Sequence, residues 1–544
     1  MPKSAAAPEE QSGPRAEHGR IAETSMLKKE NIMLIKIIFT LVGICFSQGI
    51  MPAQTSVPAS QAAYTLGFST YLSHTDKYAA RFDIFTDAEG YSYISGTTRD
   101  KNFPVTKGTY QTELKGEADA FVAKFTPDGK IVFATLIGGS KREHHTGIFV
   151  DEQGYIYLVG GTHSSDFPVS QGAYDTSFNG EGEWAGDVYV VKLNPSGSGI
   201  VFSTFIGGKV EDTANQINID SKGNIVIAGA TCSSDFPATE GVIDNKYTKQ
   251  DCFISKLSPA GDKLLFSTFL GDGVQDMITG LAIDNKDNIY VTGFTVAADL
   301  PVTKNAIRKN IIKPKKGGYE NGIDHFLAKI NETGTRLLYL SYFGAGGHMG
   351  STLSWADPNR LVVCGSTNEN GFPVSDNALG NIRRGERDCF IAVFNSDDMT
   401  LEYSTLFGGS ESDSITTVSF LNKDTIVIGG TTSSPNFPLT KNALFSEFPV
   451  LDKTFDNTFF GRRKSFVSVI DVKNSKLLYS TYLGGCFRFQ IHADKIGNIA
   501  FIAEAGQREA AGMTGFPVTE NALEEPPTYI MLGRLILKDL PKQK

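Results

Sequence analysis

Cysteine is scarce in this chain, with six among 544 residues. Cys45 falls in an N-terminal apolar run. The other five, Cys232, Cys252, Cys364, Cys389 and Cys486, are odd in number and too sparse for a disulfide framework. No C-x-x-C or His-rich spacing offers a zinc ligand set. Positive charge is not in excess either: 51 Lys and Arg stand against 60 Asp and Glu, a net charge of −9. That balance argues against a dedicated nucleic-acid binder, though not against a local basic patch. Tryptophan occurs only twice. The apolar run Ile37–Phe46 is too short to span a bilayer comfortably.

With Lys28, Lys29 and Lys36 before or within it and MPAQT after it, that run has the pattern of a signal peptide cleaved after Ala53. The expected organisation is a polar, non-native leader at 1–25, a signal at 26–53, a short linker at 54–63, a repeat domain at 64–540 and a tail at 541–544. Met26 or Met33 would open a more typical signal. The implied location is extracytoplasmic: secreted, periplasmic or on the outer surface. Cys45 is a candidate lipid-attachment site, but Ile44 before it is not small, so simple cleavage is the preferred reading. Membrane association is expected only through a lipid on Cys45.

Glycine, by contrast, is abundant at 56 residues, and one phrase recurs. SSDFPVSQGAY (Ser164–Tyr174) returns as NFPVTKGTY, DFPATEGVI, DLPVTKNAI, GFPVSDNAL, NFPLTKNAL and GFPVTENAL. The prolines are Pro104, Pro168, Pro237, Pro301, Pro373, Pro438 and Pro517, spaced 64 to 79 residues apart. Each period holds four strand-like runs, seen in the second as HTGIFVD, YIYLVGGT, DVYVVKLN and IVFSTFIGG. Four antiparallel strands repeated seven times predict an all-β, seven-bladed β-propeller. The last period lacks a fourth run, while YTLGFSTYL (Tyr64–Leu72) is a fourth run with no period before it. An N-terminal strand completing the last blade would close the ring and hide its edges.

These phrases, DAFVAKF, VFSTFIGG, the D-x-x-G hairpins and T-x-S-S-D-F-P-V-T, resemble the SBBP family of bacterial β-propeller repeats over about Tyr64–Leu540. The resemblance implies a seven-bladed propeller of secreted or surface proteins and carries no catalytic residue set. Periods 5 and 6 depart from the pattern. Val393 and Val469 replace the third-run Lys, and ADPNR and LNKDT replace the D-x-x-G turn.

In a repeat, what recurs in every blade is expected to be structural. By that rule the FPVT phrase is a loop anchor. Pro extends the residue before it, Ser or Thr caps a single helical turn, and the Phe packs beneath. Asp119, Asp187, Asp251, Asp324 and Asp388, which open third runs, are expected to cap strands or pair with ions. Lys124, Lys192, Lys256 and Lys329 are expected to snorkel or form salt bridges. The D-x-x-G turns lack the full calcium-loop pattern. No metal or cofactor is expected.

What breaks the repeat is the candidate for function, and long loops gather on one rim. There lie Trp184 and three basic runs: Lys313, Lys315 and Lys316 with Arg308 and Lys309, then Arg383, Arg384 and Arg387, then Phe459, Arg462 and Arg463. They are the expected ligand-binding residues for an anionic glycan, envelope component or protein partner; the bland alternative is a solvated loop surface. His144, His145, His163 and His348, with Asp212, Asp276 and Asp413, are the suspects for a site around the central opening. Cys232 and Cys252 lie at neighbouring ends of an antiparallel pair, where a disulfide is geometrically open. The expected function is a monomeric, non-catalytic binding scaffold. The alternatives are a lyase or hydrolase using the His/Asp residues, or a structural envelope protein; the fold does not decide among them.

Overall fold

The computed structural model describes residues 64–74, 82–180, 182, 186–271, 276–312, 323–345, 350–356, 358–447, 463–486, 488–505 and 529–538. These form 28 strands in seven four-stranded antiparallel sheets, and among the described residues there is no helix. The expected seven-bladed propeller is the observed fold. Blade 3 is representative: Asp212–Ile219, Ile225–Thr231, Asp251–Leu257 and Leu264–Leu270 pair in sequence order. The first strand of each blade packs on the first strands of its two neighbours, so first strands surround the axis and fourth strands lie outside.

The second and third strands read as unbroken apolar runs because both of their faces are covered. In blade 2, Ile156–Thr162 is buried at every position. Core clusters are shared between blades: Tyr157, Val190 and Phe202 of blade 2 pack with Ile225, Ile227 and Phe253 of blade 3. A lone blade would leave both faces wet. Each large apolar side chain contributes about 1.5–3 kcal/mol only once the neighbour is stacked on it. A Cβ at Gly197 would stand 2.5 Å from the Phe133 ring of the preceding blade, and its φ of 65° is one that glycine adopts freely.

The ring closes as the orphan run implied. Tyr64–His74 pairs antiparallel with Tyr529–Leu537, with Tyr64 opposite Leu537, and so becomes the outer strand of blade 7. Tyr64 is fully buried, donates from its hydroxyl to Gly497 O at 3.2 Å and lies 4.8 Å from the Tyr479 ring of blade 6.

The recurrent FPVT phrase guards edges. Its Phe stacks on the third strand, as expected, with Phe103–Phe121 centroids 4.7 Å apart and Phe437–Phe466 4.3 Å apart. The Ser or Thr behaves differently from the helix-cap expectation. Ser170 opens a β-turn to Ala173, and its N–H and Oγ are both spent on the fourth strand of its own blade. Ser170 N donates to Ser203 O at 2.9 Å, and Ser203 N donates to Ser170 Oγ at 2.9 Å. Thr106, Thr239, Thr303, Ser375 and Thr440 repeat this reciprocal pair. The outermost strand of each of these blades would otherwise present open backbone groups to another chain. A fourth strand already running alongside supplies better partners than one short turn. The phrase also joins blades: Tyr174 N donates to Gly261 O in the next blade's tight turn at 2.9 Å.

Candidate functional site

The recurrent charged residues are absorbed by the scaffold. On the tight-turn rim, Lys256 Nζ lies 3.0 Å from Asp220 Oδ2 and 2.8 Å from Glu332 O of the next blade. Lys124 Nζ sits 4.4 Å from the Tyr91 ring centroid, and Lys192 Nζ the same distance from Tyr155. In blade 7 the register puts Arg534 at the lysine position, where it pairs with Asp494 and bridges to Gly90 O of blade 1. Lys256 forms the expected salt bridge, whereas Lys124 and Lys192 lie over tyrosine rings, a role not expected of them.

On the long-loop rim, each third-strand Asp collects loop N–H groups. Asp119 Oδ2 accepts from Lys115 N at 2.9 Å and from Gln111 Nε2 at 2.5 Å; Asp388 accepts from Arg384 N at 2.8 Å and Gly385 N at 2.9 Å. The link acids Asp212 and Asp413 are also sealed. Both are fully buried and accept from Gly208 N and Ser233 Oγ, or from Gly409 N and Ser434 Oγ. Asp276 is 1% exposed. These carboxyls therefore sit inside the blade junctions and do not line an open central ring, because the link that carries them folds down onto the preceding blade.

The histidines divide. His144 and His163 do meet, Nε2 to Nδ1 at 3.2 Å, with Arg142 Nε donating to His144 Nε2 at 2.9 Å. Burial and the neighbouring Arg142 and Lys141 push His163 below its usual range. His348 and the side chain of His145 lie outside the described residues. Among the described residues no group of three or more His, Cys, Asp or Glu is placed to hold a metal ion.

The Cys232–Cys252 pairing is not formed; both are free thiols. The register explains this: Cys252 sits opposite Ala230, two residues before Cys232, and buries its side chain with Ile254 and Ile278 in the blade 3–4 core.

The basic loops are partly spent on structure. Arg308 binds Asp324 and, at 2.9 Å, Glu369. Arg383 braces its own loop, reaching Asn370 Oδ1 at 2.9 Å and the carbonyls of Gly385 and Glu386. Arg384 is exposed. Arg387 and Arg463 sit on adjacent blades, near enough for the charge of one to act on the other. Burial lowers the pKa of each guanidinium, and Arg387 lowers that of Arg463 further. Lys464, next in line, is 1% exposed and is likewise pushed down by burial. By register against Thr432, Lys464 occupies the position that holds Asp388 in blade 5 and Asp251 in blade 3. This substitution is legible once the repeats are aligned by register rather than by phrase. Trp184, Lys313, Lys315, Lys316, Phe459 and Arg462 lie outside the described residues, as do Cys45 and the 26–53 segment.

No family model matches the chain, and no curated protein matches it. Solved structures similar to it include the Dos1 propeller, 7% identical, covering 87% of this chain and 96% of that one at a TM-score of 0.38. Hydrazine synthase of Kuenenia stuttgartiensis is 11% identical, over 77% and 91%, at 0.35. The Pan2 WD40 domain of Neurospora crassa is 9% identical, over 67% and 91%, at 0.34. Likeness this distant carries no functional argument, and the strand topology stands on its own.

Proposed function

We propose that the chain is an extracytoplasmic, non-catalytic binding scaffold that recognises an anionic ligand, a glycan or envelope component, on the long-loop rim at blades 5 and 6. The observation that supports this reading is the gathering of Arg387, Arg463 and the buried Lys464 at one blade junction, where Arg387 lowers the pKa of Arg463. Guanidinium stays charged in proteins, and burying like charges together costs stability. Such a cluster is relieved by an anion that accepts from several donors at once. The N-terminal signal pattern and the resemblance to SBBP repeats support the location.

The test is binding of the purified protein to acidic and neutral glycans and to lipopolysaccharide at two salt concentrations. The reading expects salt-sensitive binding to acidic species, lost on Arg387→Ser/Arg463→Ser. Binding that ignores both salt and these substitutions, or no binding by folded protein, overturns it.

A further inference from the structure

Blade junctions on the long-loop rim bury acids in pairs. Glu143 of blade 2 lies against Asp119 of blade 1, Asp212 of blade 3 against Asp187 of blade 2, and Asp413 of blade 6 against Asp388 of blade 5. A Cβ at Gly207 would stand 2.5 Å from Asp187 Oδ1 and 3.0 Å from Asp212 Oδ2; one at Gly138 would touch both Glu143 Oε2 and Asp119 Oδ1. All six acids are at most 1% exposed. At two junctions a served oxygen faces an unserved one: Asp119 Oδ1, which accepts from Gly116 N at 3.1 Å, faces Glu143 Oε2, and Asp212 Oδ2, which accepts from Gly208 N at 2.7 Å and Ser233 Oγ at 2.9 Å, faces Asp187 Oδ1. Glu143 Oε2, Asp187 Oδ1, Asp212 Oδ1 and Asp413 Oδ1 receive no hydrogen bond from the protein.

Two other junctions show what the protein does when it neutralises the site itself. At blades 4–5 Arg308 binds both Asp324 and Glu369. At blades 6–7 the third-strand position is Lys464. Among the described residues no salt bridge reaches the paired acids. Two carboxylates in so small a dry space cannot both stay ionised, and their other oxygens are surrounded by N–H and O–H donors, which repel a metal ion.

We infer that the junctions Asp119/Glu143 and Asp187/Asp212 each hold a shared proton that joins adjacent blades, so that the ring tightens in mild acid and loosens as the proton leaves. Burial, with the partner acid adding to it, pushes Glu143 and Asp187 up to about 7; burial pushes Asp212 and Asp413 up to about 6. The other titratable groups facing the pairs are Lys115 and Tyr189 at blades 1–2, Asp175, Asp235, Cys232 and Tyr247 at blades 2–3, and Cys389 and Tyr482 at blades 5–6. Of these only Lys115 is cationic, and it acts on Asp119 from the loop. Because the folded-state values are raised, folding takes up protons between the ordinary carboxylate range and about 7. The stabilisation is complete below that window and is lost as pH rises through it.

The test is the thermal midpoint of the whole protein between about pH 5 and pH 8, with and without calcium or EDTA. The inference expects the midpoint to fall with rising pH and Asp187→Asn to flatten that fall, since its amide N–H replaces the shared proton. A profile that Asp187→Asn leaves unchanged overturns it. So does a profile set by calcium and abolished by EDTA, which would assign the pairs to a cation. Infrared spectra of the unmodified protein give a readout independent of any variant. A carbonyl stretch of protonated carboxyl near neutral pH that vanishes at alkaline pH supports the shared proton, and its absence near neutral pH overturns it.

Discussion

Lys256 and Asp220 form a salt bridge of 3.0 Å with their side chains only 4% and 1% exposed. The same positions explain why blades 5 and 6 depart from the repeat. By register, Val393 and Val469 take the lysine position while Ala356 and Asn422 take that of the aspartate. Acid and base are lost together. A buried ion pair and an apolar pair are comparable in stability, whereas half a pair leaves an uncompensated charge.

Lys256→Met is therefore expected to destabilise the protein by about 3–5 kcal/mol, read from urea unfolding. Asp220→Ala/Lys256→Val, which copies blade 5, should restore most of that loss. If the double variant is as unstable as the single one, the coupling is refuted.

Closure depends on Tyr64. Tyr64→Ala removes a fully buried ring from the seam beside Tyr479, at an expected cost of about 3–5 kcal/mol, the range for large aromatics. Removing the chain through His74 uncovers the edge of Tyr529–Leu537. That edge should recruit other chains, so size-exclusion chromatography should show oligomers where the full chain shows none.

Ser170→Ala tests the edge guard. Ser203 N loses its acceptor, which should cost about 1 kcal/mol. Removing the corresponding hydroxyls in several blades at once should raise the rate of aggregation near the melting temperature beyond what the stability loss explains.

His325 should give a pH slope opposite in sign to that of the paired acids. It is 1% exposed, Nε2 lies 3.1 Å from Ser366 O, and burial lowers its pKa to about 4. The unfolded chain binds this proton first as pH falls, so stability is lost from the ordinary histidine value of 6.5 down to about 4. Against the falling profile set by the paired acids, His325→Leu should steepen the drop in Tm from pH 5 to pH 7; an unchanged drop would show that the ring has the same pKa in the folded and the unfolded chain.

The sequence by itself determined the architecture. Seven copies of a four-run period can bury their faces only by stacking, and an orphan fourth run at the start completes a last period that lacks one. It also identified the FPVT phrase as an anchor. What it could not show was what the anchor holds: the hydroxyl of Ser170 could serve its own turn or a strand 33 residues away, and local pattern does not distinguish the two. The functional residues divide the same way. The basic residues were legible as runs, but only the tertiary structure shows that Arg308 and Arg383 make internal contacts and that Arg387 acts on Arg463 across a blade junction. Asp187 and Asp212 were visible as separate recurring acids. Their meeting lies in the junction between two blades, a place no single repeat contains, and the burial that shifts their protons exists only once both blades are stacked.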